Sequence, residues 1–102
     1  MNGDLVSFII AAYNEEDFII ECVESCLNQT YKNIEIVITD DGSTDSTWSL
    51  LKNNYSANNK VKLLRFHKNQ KKIAAFNNSF RHANGEFVAI MGADDINYFD
   101  RL

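Results

Sequence analysis

The chain has 102 residues, is 45% hydrophobic and carries seven Phe, four Tyr and one Trp, enough to bury one core and so to form a single domain, residues 1–102. A formal net charge of −4 argues against a general nucleic-acid-binding surface, and no run of about eighteen apolar residues is present to cross a membrane. The opening MNGDLVSFII has neither the basic flank nor the small-residue cleavage site of a secretion signal, so a cytoplasmic chain is expected.

Residues 5–11 are almost all apolar, with Ile9 and Ile10 at the centre, and are short enough for a strand buried on both faces. AYNEED follows, where Asn14 is suited to cap a helix whose first turn carries Glu15, Glu16 and Asp17. Ile19, Cys22, Val23, Cys26 and Leu27 then recur at helical spacing, and a stop is expected near Asn28. The two cysteines share that apolar stripe and read as buried thiols, since no His or third Cys nearby completes a metal site. Residues 34–39 form a second apolar run. The DDGST turn after it leads to a helix with Trp48, Leu51 and Tyr55 on one face, capped by Ser43, Thr44 or Asp45. After the polar loop YSANNK, residues 61–66 predict a third strand. Ile73, Phe76, Phe80 and Ala83 predict a third apolar helix stripe, ended by Asn84 and Gly85 as a left-handed cap. Residues 87–91 predict a fourth strand.

This alternation, without a proline, predicts an α/β fold: a doubly wound, mainly parallel sheet with helices on both faces. Ligands of such sheets bind beyond the carboxyl ends of the strands. Three clusters fall there: Tyr13, Asn14 and Glu15; Asp40 and Asp41; Asp94 and Asp95. Each has a structural explanation as a cap, a turn or a polar loop. Together they bring like charges to one edge, which costs stability unless a cation or donors intervene. Carboxylates suit Mg2+ or Mn2+, and a nucleotide diphosphate would supply further oxygens. Neither a Walker loop nor GxGxxG is present. Six of the ten Lys and Arg, at positions 60, 62, 65, 68, 71 and 72, form an acid-free segment that reads as a solvated edge strand and loop, or as an attraction for an anionic ligand.

SFIIAAYNEEDFIIECVESCLNQTYKNIEIVITDDGSTDST resembles the opening of the family 2 glycosyltransferases, which have the GT-A fold, and GEFVAIMGADD resembles their later strand ending in the DxD metal motif. The resemblance runs from Val6 to Leu102. It implies an inverting transfer of sugar from a nucleotide-sugar, most commonly a UDP-sugar, to a sugar or glycan acceptor. It also implies that Ala11, Ala12 and Tyr13 line the base pocket and that Asp41, with Asp40 as the alternative, holds the base or ribose edge. Glu15 and Ala93 join the nucleotide-binding set, and Lys71 or Lys72 contacts phosphate. Asp94 falls on the second DxD acid and Asp95 stands beside it as the metal-binding pair for Mn2+ or Mg2+. Gly92 replaces the first DxD acid, Ala11 a common Pro, Lys71 a common Gly and Phe76 a common Arg; Phe76 reads as core. The catalytic base and the acceptor-binding half are expected beyond residue 102, so this chain alone is expected to bind rather than catalyse.

Two other readings compete. A binding or assembly module would use the same acids only to cap turns and would show no divalent-dependent nucleotide affinity. A phospho-receiver domain would place its acid pair after the first strand and its phosphorylated Asp after the third, whereas here the pairs follow the second and fourth.

Overall fold

The computed structural model describes residues 3–92. Four strands, β1 (Val6–Ala12), β2 (Ile34–Asp41), β3 (Val61–Phe66) and β4 (Phe87–Gly92), alternate with three helices, α1 (Ile19–Leu27), α2 (Thr47–Tyr55) and α3 (Lys72–Arg81). All strand pairs are parallel and the spatial order is β3-β2-β1-β4. The chain thus builds outward from β1 to β3, then returns through α3 to place β4 on the other side of β1. That reversal makes a switch point between β1 and β4.

Strand alternation decides which residues meet which helices. Phe8, Ile10, Ala12, Ile36 and Ile38 project to one face and enclose a core with Ile19, Cys22, Val23 and Cys26 of α1 and Leu51 and Tyr55 of α2. Each large aliphatic or aromatic side chain buried there contributes about 1.5–3 kcal/mol. Both thiols are buried in this core and neither forms a disulfide with the other, as their helical spacing predicts. The Tyr55 hydroxyl donates to Glu24 at 2.7 Å across the α1–α2 seam; burial, reinforced by that carboxylate, pushes its pKa up.

The opposite face is covered by α3 in a different way. Ala75 and Ser79 are its buried residues, and a chain of hydrogen bonds joins Asn78 Nδ2 to Thr39 Oγ1 (3.2 Å), Thr39 Oγ1 to Ser79 Oγ (2.7 Å), and Ser79 Oγ to the Ile10 carbonyl (3.1 Å). The apolar stripe expected to face the sheet does not: Ile73 is 76% and Phe80 57% exposed, and Phe76 is half-buried. Small and hydroxylated residues allow the helix to approach the sheet closely, and bonded hydroxyls take the place of an apolar seam.

Two other expectations are corrected. The loop after β1 turns through residues 16–18 before α1 begins at Ile19, so Asn14 does not cap that helix. Asn84–Gly85 is not a left-handed cap: α3 ends at Arg81 with His82 as its C-cap, and Gly42 is the positive-φ glycine among the described residues. Gly85 is instead needed for close approach, since an added Cβ would lie 2.7 Å from Ser7 N and 2.9 Å from the Leu5 carbonyl. Its N–H donates to Ser7 Oγ at 2.8 Å, and Ser7 donates to Glu35 at 2.5 Å. Burial opposes ionisation of Glu35, but the bonds from Ser7 and the Asn84 backbone, with the Lys62 charge, hold its pKa below the usual value.

Candidate functional site

At the carboxyl ends of the strands, β1 runs into Tyr13 and β2 into Gly42. The two loops are joined by hydrogen bonds. Asn14, at φ 52, is in the left-handed region that Asn tolerates. Its Oδ1 accepts from the N–H groups of Thr44 (2.8 Å) and Asp45 (3.3 Å), and its own N–H donates to Ser43 Oγ (2.9 Å). Glu15 N–H donates to Thr47 Oγ1 at 2.9 Å, and Glu16 Oε1 accepts from Ser46 N–H at 2.9 Å. The N-cap of α2 is Ser46, whose side chain makes no capping bond, and not Ser43, Thr44 or Asp45 as expected; Asp45, one residue earlier, holds the entry by accepting from Thr47 N–H (2.9 Å) and Oγ1 (2.6 Å). YNEE and DGSTDST are therefore one interlocked unit.

Asp40 and Asp41 end β2 and point to opposite faces. Asp40 is fully buried on the α2 side, accepts from Ser43 Oγ at 2.5 Å and lies 3.9 Å from Arg65 Nε. Burial pushes its pKa up; the Ser43 bonds and the Arg65 charge offset this only in part. Arg65 also lies over the Trp48 ring, 5.1 Å from its centroid. Asp41 faces the α3 side and is fixed by two donors, Gln70 N–H at 2.7 Å and Asn69 Nδ2 at 3.0 Å.

Asp41 opens onto a cleft of about 410 Å³, whose lining includes Ala11, Ala12, Tyr13, Glu15, Asn69, Lys71 and Lys72. Tyr13 is 42% exposed at its rim. Lys71 precedes α3 at φ 79, ψ 159, a region almost restricted to glycine, and Lys72 lies over the Phe76 ring at 5.9 Å. The basic segment is thereby divided. Lys62 donates to the His82 carbonyl at 2.8 Å and Arg65 faces Asp40, while Lys71 and Lys72 stand at the cleft.

The cleft brings together Ala11, Ala12, Tyr13, Glu15, Asp41 and Lys71, and leaves Asp40 on the other face of the sheet. Ala93, Asp94 and Asp95 lie outside the described residues. Asn69 was not singled out by the sequence; its signal is its place in a polar loop at the carboxyl end of the third strand. Among the described residues no three His, Cys, Asp or Glu side chains gather as a metal site. No helix among them is long and apolar enough to cross a membrane.

The sequence model of Glycosyl transferase family 2 matches residues 7–102. An uncharacterized glycosyltransferase of Haemophilus influenzae is 37% identical over 102 residues, covering 100% of this chain and 41% of that protein. The Escherichia coli UDP-Glc:alpha-D-GlcNAc-diphosphoundecaprenol beta-1,3-glucosyltransferase WfaP is 42% identical over 90% of this chain and 36% of its own length. Among solved structures, the mannosyltransferase PcManGT from Pyrobaculum calidifontis, in complex with GDP-Man and Mn2+, superposes with a TM-score of 0.84 at 31% identity. That match covers 91% of this chain and 28% of the mannosyltransferase. S. aureus TarS 1-349 in complex with UDP-GlcNAc gives 0.81 at 29% identity, covering 94% of this chain and 27% of that one.

Proposed function

The chain belongs to glycosyl transferase family 2, and from that premise we propose that residues 1–102 form the donor-binding half of an inverting glycosyltransferase. The donor is a nucleotide-diphosphate sugar, with a UDP-sugar favoured, and the acceptor a sugar or glycan in glycan or polysaccharide synthesis. The observation that carries this reading is the cleft at the carboxyl ends of β1 and β2, with a positioned carboxylate, a half-exposed tyrosine and two lysines at its wall. The nucleotide-sugars bound by the two solved relatives support it.

Each group has a matching part of the ligand. Tyr13 offers a face on which a base can stack. Asp41, held by Asn69 and Gln70, accepts from an N–H of the base or a ribose hydroxyl. Lys71, Lys72 and the amino end of α3 attract the diphosphate. Glu15 shapes the rim from the interlocked loop.

A divalent cation fits the donor chemistry of this edge, because carboxylates are hard ligands suited to Mg2+ or Mn2+. Both Asp41 oxygens already accept protein N–H groups, so Asp94 and Asp95, two and three positions after β4, are the residues that would hold it. Such an ion, when bound, offsets the charge that gathers on a departing diphosphate. In the complete reaction an acceptor hydroxyl, relieved of its proton, bonds to the anomeric carbon as the bond to the diphosphate oxygen breaks and its electron pair leaves with the nucleotide. The base for that proton is expected outside residues 1–102, which span 41% and 36% of the two curated relatives described above.

Calorimetric titration with uridine diphosphate, with and without manganese, tests the reading. Binding strengthened by manganese and weakened by Asp41→Asn supports it. A folded chain that binds no nucleotide under either condition favours the assembly-module reading, and appreciable sugar transfer by this chain alone would overturn the division of labour.

A further inference from the structure

Asp40 is the acid of the DDGST turn that the cleft does not use. It has no exposed surface and lies on the opposite face of the sheet, between Ala12 of β1 and Arg65 of β3. A carboxylate buried there costs stability unless donors face it. Three do: Ser43 Oγ at 2.5 Å from Oδ1, Ser43 N–H at 3.3 Å from Oδ2, and Arg65 Nε at 3.9 Å.

The Ser43 hydroxyl carries the connection further. It has one proton, which it gives to Asp40, so its lone pairs are left for other donors. One of these is the N–H of Asn14, at 2.9 Å and 29 positions away in the chain. That N–H belongs to the peptide group joining Tyr13 to Asn14, one backbone rotation from the Cα that bears the Tyr13 ring. An ionised Asp40 can only accept, so it fixes the direction of the hydroxyl and with it the acceptor offered to this peptide. Asn14 stands at φ 52, an orientation that has to be held by its surroundings.

We propose that Asp40 is a positioning residue of the cleft, acting across the sheet through Ser43 Oγ on the Tyr13–Asn14 peptide and so on the Tyr13 ring at the rim. Its functional consequence rests on the reading of that cleft as a nucleotide site. An acid that served only to close its own turn would need the Ser43 N–H alone. Here the shorter bond goes to the hydroxyl, and the hydroxyl is committed to the other loop. The bonds from Asn14 Oδ1 to Thr44 and Asp45 tie the same loops together through a side chain, whereas the Ser43 bond acts on the backbone next to Tyr13.

Amide hydrogen exchange in the chain, read residue by residue by NMR, is the test, with Asp40→Ala, Ser43→Ala and Ser43→Thr. Both alanine variants should speed exchange of the Asn14 amide at least about fivefold, the equivalent of one ordinary hydrogen bond, and Ser43→Thr, which keeps the hydroxyl, should restore it. A merely structural role would speed the interior amides of Ile9 and Ile10, which report global unfolding, and leave Asn14 unchanged. Uridine diphosphate affinity by calorimetry should fall about three- to tenfold in each alanine variant, and the double variant should bind no more weakly than the worse single one, because the two residues act in series. Unchanged exchange at Asn14 in both alanine variants, additive losses of affinity, or failure of Ser43→Thr to restore exchange overturns the proposal. A wild-type chain that binds no uridine diphosphate overturns the nucleotide reading instead, and the exchange at Asn14 then decides the positioning role by itself.

Discussion

Gly42 links the fold to the cleft, and Gly42→Ala is expected to damage both. Its φ of +73 costs an alanine about 1–2 kcal/mol. The added Cβ would stand 2.5 Å from Asn69 N and 2.6 Å from Lys68 C, both backbone atoms. Restoring ordinary contact requires that segment to retreat by roughly 1 Å in a close-packed setting. The same segment delivers Gln70 N–H and Asn69 Nδ2 to Asp41, and losing one such bond to a carboxylate costs about 1.5–3 kcal/mol. The combined loss is about 3 kcal/mol, which for a domain of this size lowers the thermal midpoint by roughly 10–25 °C. Urea denaturation followed by circular dichroism measures the stability, and calorimetry with uridine diphosphate should show weaker binding because Asp41 loses its support. Gly42→Asn separates the causes: Asn tolerates the left-handed region but carries the same Cβ, so it should recover only the conformational share. An Ala variant within about 0.5 kcal/mol of wild type would refute the reasoning, since neither the strain nor the clash would then be present.

Asn14→Ala removes the acceptor that joins the two loops and the side chain that tolerates φ 52; a loss of about 1–3 kcal/mol in urea denaturation and weaker uridine diphosphate binding are expected, and an unchanged midpoint would tell against the interlock. Lys71→Gly should raise stability by about 1 kcal/mol or more by relieving the backbone, while weakening nucleotide affinity; a variant no more stable than wild type would remove the strain argument. Because Asp40 has a folded pKa raised above its unfolded 3.8, its contribution to stability is fully present below 3.8 and is lost as pH rises through the raised value. Asp40→Asn should therefore flatten that part of the stability profile, and denaturation across a pH series would contradict the assignment if wild type and variant ran parallel.

Periodicity made the parallel α/β architecture legible because β1 and β2 are buried on both faces and α1 carries a regular apolar stripe. The same reasoning misjudged α3. Its strongest apolar repeat, Ile73, Phe76 and Phe80, faces outward, whereas the residues that seat it are Ala75 and Ser79, small side chains whose value lies in close approach and hydrogen bonding. Such a seam leaves no hydrophobic signature. Asn14 was legible as a capping residue, but not the loop it would cap: a side-chain oxygen can serve any N–H within reach, and its partners lie 30 and 31 residues away. Asn69 was obscured for a similar reason, since its role follows from the return of the chain past Gly42.

The adjacent acids of DDGST show how strand geometry divides two identical side chains. Continuation of β2 through Asp41 sends them to opposite faces. Asp40 is enclosed with Ser43 and Arg65, in surroundings that disfavour its charge even after those partners are counted. It ties the turn to the edge strand. Asp41 receives its donors from the 69–70 segment and opens on the cleft, next to the ring of Tyr13 that the interlocked loop holds in place. Exchanging their surroundings would take only a one-residue shift of register, which the pairing of Asp40 with Ala12 and Arg65 resists from both sides. The register of β2 therefore sets which acid can meet a ligand.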